Sequence, residues 1–178
     1  MAPESSLVRT LSALLAELNR QQVSYALAGG WAYSALVEPR ATTDIDCLIL
    51  LNHPTAETIR RLLSPVFPSM VIHPSPMTFK GISIWRIVGI REGEEVVVDL
   101  LLADSAFLLE ALRRRQIVRF FEHSVPILSL EDLILLKTLA GRLQDLADLE
   151  KIEQRQPELQ VDWTYVKAWK DRLGLSAR

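Results

Sequence analysis

The sequence predicts an α+β protein, a mixed β-sheet flanked by helices, with a helical C-terminal part. Three observations carry this expectation. Helical and strand-like patterns interleave through residues 1–128, whereas every patterned segment from Ser129 onward is helical. The apolar runs GISIWRIVGI and EEVVVDLLLA, joined at REGE, read as a β-hairpin with a glycine in its connection. A third apolar run, DIDCLILL, has the length and continuity of a strand buried on both faces beyond its first residues. The organisation expected is therefore an α/β core over 1–128 and a helical bundle region over 129–178.

Each element has its own signal. Leu7, Leu11, Leu14, Leu15 and Leu18 recur at helical spacing, which predicts an amphipathic helix over about residues 5–20. SYALAGG reads as a short buried strand ending in glycines, and WAYSALV as a short helix stopped before Pro39. After the DIDCLILL strand, TAETIRRLLSP returns to helix. FPSMVIHPSPMTF is proline-rich and reads as loop with short extended pieces. SAFLLEALRRR is a helix with basic residues in its last turn, where they complement the helix dipole. IVRFF and VPIL are short extended segments. SLEDLILLKTLA opens with a Ser three residues before Asp132, a capping-box-like start. RLQDLADLEKIEQ and DWTYVKAWKDRLG complete a three-helix tail.

Bulk properties narrow the function classes. The chain has 178 residues, 49% of them hydrophobic and 24% charged, which suits one folded unit or one with a helical appendage. Twenty basic against 22 acidic side chains give a formal charge of −2, arguing against a general basic field for coating DNA. A lone cysteine, Cys47, cannot form an intrachain disulfide and fits a reducing compartment. The N-terminal segment has no basic start followed by an apolar core, and no run reaches the length of a membrane span. A soluble cytoplasmic protein is expected, without membrane contact.

The chemistry concentrates in GGWAYSALVEPRATTDID, residues 29–46. Asp44 and Asp46 lie two apart at the mouth of a strand, so their carboxylates share one face. Adjacent carboxylates repel unless a positive charge lies between them, and hard oxygen donors suit Mg²⁺ or Mn²⁺. The plainer alternative is a pair of solvated residues at a strand start. Asp99 sits within VVVDLLL, where an unpaired carboxylate is costly. It is either the third acid of a metal site or an aspartate held by a neighbouring amide or arginine. Gly29 and Gly30 lie between a strand and a helix, where phosphate can approach bare backbone and helix N-terminal N–H groups. Arg40, Thr42 and Thr43 follow in the intervening loop and could add phosphate contacts.

Together these residues resemble the nucleotidyltransferase superfamily, the polymerase-β-like fold. That family's pattern of strand, Gly-Gly or Gly-Ser turn, helix, Asp-x-Asp/Glu strand and later third acid is matched by AGGWAYSALVEPRATTDIDCLI and VVVDLLL. Trp31 departs from it, standing where many members carry serine. The segment EDLILLKTLAGRLQDLADLEKI is similar to the C-terminal signature of abortive-infection-type nucleotidyltransferase toxins and minimal nucleotidyltransferases. It places Lys137 on one helix and Arg142, Asp145 and Asp148 on the next. The helix carrying these acids was expected to turn Leu143, Leu146 and Ala147 to one side, with Asp145 and Asp148 opposite; a solvated polar face is the plainer reading.

The resemblance implies a metal-dependent nucleotidyltransferase. Asp44, Asp46 and Asp99 would be the catalytic and metal-binding residues of a two-metal, Mg²⁺ (or Mn²⁺) site. Gly29, Gly30, Arg40, Thr43, Lys137, Arg142 and Asp145 would bind the nucleoside triphosphate. The acceptor stays open between RNA (tRNA included), protein and a small molecule, with a toxin–antitoxin relation and an antitoxin partner implied by the tail. The competing expectation is a catalytically silent binding module of the same fold. Residues 52–94 match the family loosely, and no role is assigned to them. His53, His73 and His123 have no ligand spacing. Trp163 and Trp169 are expected to pack, and Arg113, Arg114 and Arg115 to form a solvated helix end.

Overall fold

The computed structural model describes residues 5–120 and 123–175. Phe121, at the end of the expected IVRFF strand, and the His123 side chain lie outside the described residues. The chain opens with helix α1 (Ser6–Arg20), capped by the Ser5 hydroxyl, which accepts from the Val8 amide. Strand β1 (Tyr25–Leu27) follows, then α2 (Gly29–Leu36), β2 (Asp44–Ile49) and α3 (Ala56–Leu63). Strands β3 (Ser69–Ile72) and β4 (Met77–Phe79) both pair antiparallel with β5 (Ile82–Arg91), so the proline-rich stretch holds more order than a loop. β4 is joined to β5 by a two-residue turn, Lys80-Gly81, and β3 pairs with the far half of the same strand.

β5 and β6 (Glu94–Leu102) form the expected antiparallel hairpin. Helix α4 (Ala106–Arg113), then the antiparallel strands β7 (Gln116–Phe120) and β8 (His123–Ile127), complete the sheet. Its order is β3-β5-β6-β2-β1-β8-β7, with β4 beside β5. β2 runs parallel to β6 and β1 parallel to β8, the other pairs being antiparallel. The tail comprises α5 (Leu130–Ala140), α6 (Leu143–Gln154), a four-residue α7 (Gln156–Leu159) and α8 (Trp163–Arg172).

Strand alternation divides the core in two. From β2, Ile45, Cys47 and Ile49 point to one face, where Leu11, Leu14 and Leu18 of α1 and Ile59 and Leu63 of α3 cover them. Burying each such leucine or isoleucine contributes about 1.5–3 kcal/mol. From the other face of the same sheet, Ala26, Leu48 and Leu101 pack with Leu133 and Ile134 of α5 and Val166 of α8. Asp44 and Asp46, out of phase with Ile45 and Cys47, fall on this second face, beneath the C-terminal helices.

Two tail expectations are corrected. On α6 it is Asp145 and Asp148 that are buried, each at 2% exposure, while Leu143 and Leu146 stand at 88% and 53%. The polar face turns inward because buried Lys137 of α5 supplies its counter-charge. The basic helix end is likewise not simply solvated. Arg113 pairs with Glu110 on its own helix, but Arg114 reaches Glu131 and Asp132 of α5 and lies 3.8 Å from the Tyr165 ring centre. Fully buried Asp132 also accepts from the Ser129 hydroxyl (2.6 Å) and the Tyr165 hydroxyl (2.7 Å). Burial pushes its carboxyl up even so. This cluster fastens α8 and the end of α4 to α5. Trp169 packs on Phe107, ring centres 5.3 Å apart.

Candidate active site

Two neighbouring strands bring the acids together, and a third adds an arginine. Asp46 of β2 lies directly opposite Asp99 of β6, and Asp99 opposite Arg86 of β5. Carboxylate oxygens of Asp44, Asp46 and Asp99 all lie within 4.8 Å of one another. The sequence places Asp44 and Asp46 side by side; only the parallel register of β2 on β6 adds the third. Burial, then the charges of Asp44 and Asp99, push the Asp46 carboxyl up to about 7. Such crowding is relieved by a bound cation. The donor set, oxygen alone, fits a hard divalent ion such as Mg²⁺ or Mn²⁺.

One partner was not legible in the sequence. Arg86 donates from Nε to Asp99 Oδ1 (2.8 Å) and from Nη2 to Asp99 Oδ2 (2.7 Å). Asp99 is therefore held by an arginine while its carboxylate also lies in the acidic cluster. Arg86 is half exposed, so its fork can turn to solvent without stranding a buried charge.

The glycine pair has a structural cause. Gly29 adopts φ +53°, and a Cβ there would sit 1.9 Å from Asp46 Oδ2. Only glycine lets that carboxylate close onto the turn. A Cβ on Gly30 would meet Thr42 Oγ1 at 2.7 Å and Arg40 Nη2 at 2.8 Å. Ala28, the N-cap of α2, supplies no side-chain hydrogen bond to the helix N-terminus. Trp31, where serine stands in much of the resembled family, donates from its indole to the Asp44 carbonyl (2.9 Å), and Thr42 donates to Asp44 Oδ1 (3.2 Å). Both fix the strand mouth.

The tail supplies the opposite wall. Lys137, at 4% exposure, bonds Asp148 Oδ2 (2.5 Å) and Asp145 Oδ1 (3.4 Å). Arg142 donates to Asp145 Oδ2 (2.7 Å), and Gln144 to Asp148 Oδ1 (3.0 Å). Burial pushes the Asp145 carboxyl up, but Arg142 and Lys137 outweigh it and leave it below its usual value. Asp46 and Asp99 share a cleft of about 230 Å³ with Gly29, Lys137, Arg142 and Asp145. Arg40 instead reaches Asp148 at 3.3 Å and lies 5.5 Å from the Tyr33 ring centre. Thr43 is exposed and, like Arg40, outside the residues lining that cleft.

No family model matches the chain, and no curated protein does. Solved structures do. An antigenic nucleotidyltransferase-like protein from Paracoccidioides brasiliensis aligns with a TM-score of 0.56 at 23% identity, over 88% of this chain and 78% of that one. ANT(2″)-Ia in complex with adenylyl-2″-tobramycin aligns at TM-score 0.60 and 14% identity, over 98% and 100%. The lincosamide antibiotic adenylyltransferase LnuA, lincomycin-bound, aligns at 0.54 and 16%, over 82% and 95%. The chain has the nucleotidyltransferase fold. Among the described residues no helix is long and apolar enough to cross a membrane.

Proposed function

We propose that the protein is a metal-dependent nucleotidyltransferase, moving a nucleoside monophosphate from a nucleoside triphosphate to a hydroxyl acceptor. The observation that carries the reading is the convergence of Asp44, Asp46 and Asp99 beside a glycine turn closed onto Asp46. Asp44, Asp46 and Asp99 would hold Mg²⁺ or Mn²⁺; bound ions would offset the charge on the triphosphate and on the attacking and leaving oxygens. The α2 N-terminus at Gly29 and Gly30 would receive phosphate oxygens, with Lys137 and Arg142 facing them across the cleft. Arg40 and Thr43 would reach the triphosphate only by leaving their present positions.

In the reaction, the acceptor oxygen bonds to the α-phosphorus as the bond to the bridging oxygen of the β-phosphate breaks. Pyrophosphate leaves with that electron pair, and the hydroxyl proton passes to an Asp99 carboxylate oxygen. Arg86 holds the Asp99 carboxylate in place through its two-pronged hydrogen bond. The acceptor spans RNA, protein and small molecules at this level; a tRNA substrate, an antitoxin partner and a cytoplasmic toxin role rest on the resemblance of the tail alone.

The test is transfer of α-phosphate label from each of the four nucleoside triphosphates into fractions of a cell extract, with Mg²⁺ or with chelator. Wild type labels a product only with the metal, and Asp44→Asn and Asp46→Asn lose at least a hundredfold in rate. Mg²⁺-dependent nucleotide binding without any transfer would instead establish the silent module.

A further inference from the structure

The cleft that holds the acids has two unlike ends. Along β5, Ile82, Ile84 and Arg86 share one face; along β6, Asp99 and Leu101 share it, with Arg86 opposite Asp99 and Ile84 opposite Leu101. One step along the strands therefore changes a charged row into an apolar row. Beyond it the lining is Met77, Phe79, Ile82, Ile84 and Leu101, roofed by Leu133 and Leu136 of α5. Among the described residues, no charged side chain lines this end. Met77 and Phe79 stand at its mouth, 45% and 39% exposed on the edge strand β4.

In-line displacement decides which substrate takes that end. Attacking and leaving oxygens stand on opposite sides of the phosphorus. The leaving pyrophosphate belongs with the glycine turn, which lies on the β1 side of Asp46. The attacking oxygen must then enter from the Asp99 side, toward β6 and β5, where the apolar walls stand. Resting on the nucleotidyl-transfer reading, we infer that the acceptor is a small hydroxyl compound with an apolar body, seated between β4–β5 and α5 with its hydroxyl at Asp99.

The wall chemistry argues against RNA and polycationic sugars as acceptors. An RNA acceptor needs cations for its backbone. The cations lining the cleft, Arg86, Lys137 and Arg142, stand at its charged end, where Arg86 holds Asp99 and Lys137 and Arg142 would face the triphosphate. A polycationic sugar needs acids along its length, and the outer walls carry none. About 230 Å³ lies below the roughly 300–1,000 Å³ usual for small-molecule sites, so the part enclosed is small.

The experiment separates a cell extract before reaction into macromolecules, small molecules retained on a reversed-phase column and unretained polar small molecules. Each fraction meets the full chain, Mg²⁺ and α-labelled triphosphate. Label is expected in the retained small-molecule fraction, and Met77→Glu/Phe79→Glu should cut kcat/KM for that acceptor at least tenfold. Because both side chains are exposed on an edge strand, the variant should keep the Mg²⁺–nucleotide thermal shift of wild type. Label in macromolecules or in the polar fraction overturns the acceptor assignment, as does a double variant that transfers normally; a shift without label in any fraction overturns both it and the transfer reading, in favour of the silent module. Loss of the Mg²⁺–nucleotide shift in wild type overturns the nucleotidyltransferase reading itself, a different result from failure of the acceptor arm.

Discussion

At the residue scale the acidic cluster stores repulsion, and that repulsion has a pH signature. The Asp46 carboxyl is raised from 3.8 to about 7, burial contributing first and the neighbouring acids next. Between those values the folded metal-free protein keeps a proton that the unfolded chain has released. Stability in chelator should therefore fall by a few kcal/mol as pH rises from about 4 to about 7, then level off. Urea melts of Asp46→Asn should lose that part of the slope; an unchanged profile would mean Asp46 is ionised throughout. Asp99 behaves differently because Arg86 already balances it. Asp99→Asn should cost the metal-free protein about 1 kcal/mol at pH 6, a modest loss because Arg86 can turn to water. A gain in stability at that pH would show that relief of repulsion outweighs the fork. The acid triad was legible because an i,i+2 pair and a carboxylate inside an apolar run are local signals. Arg86 was not, since nothing in SIWRIVG tells which strand will lie beside it.

Elements set the next limit on what the sequence reveals. Helix α6 offers either face for burial: one carries Leu143 and Leu146, the other Asp145 and Asp148. Local hydrophobicity favours the leucines, but the buried charge on α5 reverses the choice. Lys137 cannot be left alone in an apolar helix; Asp145 and Asp148 accept from it, and Arg142 and Gln144 in turn donate to those two carboxylates. Leu143→Lys/Leu146→Lys should therefore leave stability within about 0.5 kcal/mol of wild type. Lys137→Met, by contrast, takes the buried counter-charge from two carboxylates, leaving them only Arg142, Arg40 and Gln144, and should cost about 3 kcal/mol in chemical denaturation. The opposite ranking would put the leucine face in the core. The β3 and β4 strands were hidden for a related reason. Flanking prolines and short lengths argue for a loop with short extended pieces, and β5 supplies the hydrogen bonds that make those pieces strands.

Over the whole molecule, the sheet's two faces have different covers, and this governs how the chain folds. One face is closed within residues 1–128 by α1 and α3. The other is closed largely by the tail: Ala26, Leu48, Leu101, Phe107 and Leu108 share a buried cluster with Leu133, Ile134, Leu135 and Val166. Arg155 of the tail also donates to the Val37 carbonyl, and Asp148 pairs with Arg40 across the same junction. The change of element type at Ser129 thus falls inside a continuous core. A chain ending at residue 128 would expose that apolar face together with Asp44, Asp46 and Asp99, whose opposite wall of Lys137 and Arg142 would be gone. We expect the full chain to melt in one cooperative transition by circular dichroism and tryptophan fluorescence alike. The same transition should move as a unit when Mg²⁺ and a nonhydrolysable triphosphate are added, by about 2.7 kcal/mol at a hundredfold excess over the dissociation constant. Fragment 1–128 should show neither a cooperative melt nor a ligand shift. A fragment that melts cooperatively would make the tail a separable cover, and one that also kept the ligand shift would remove Lys137 and Arg142 from nucleotide binding.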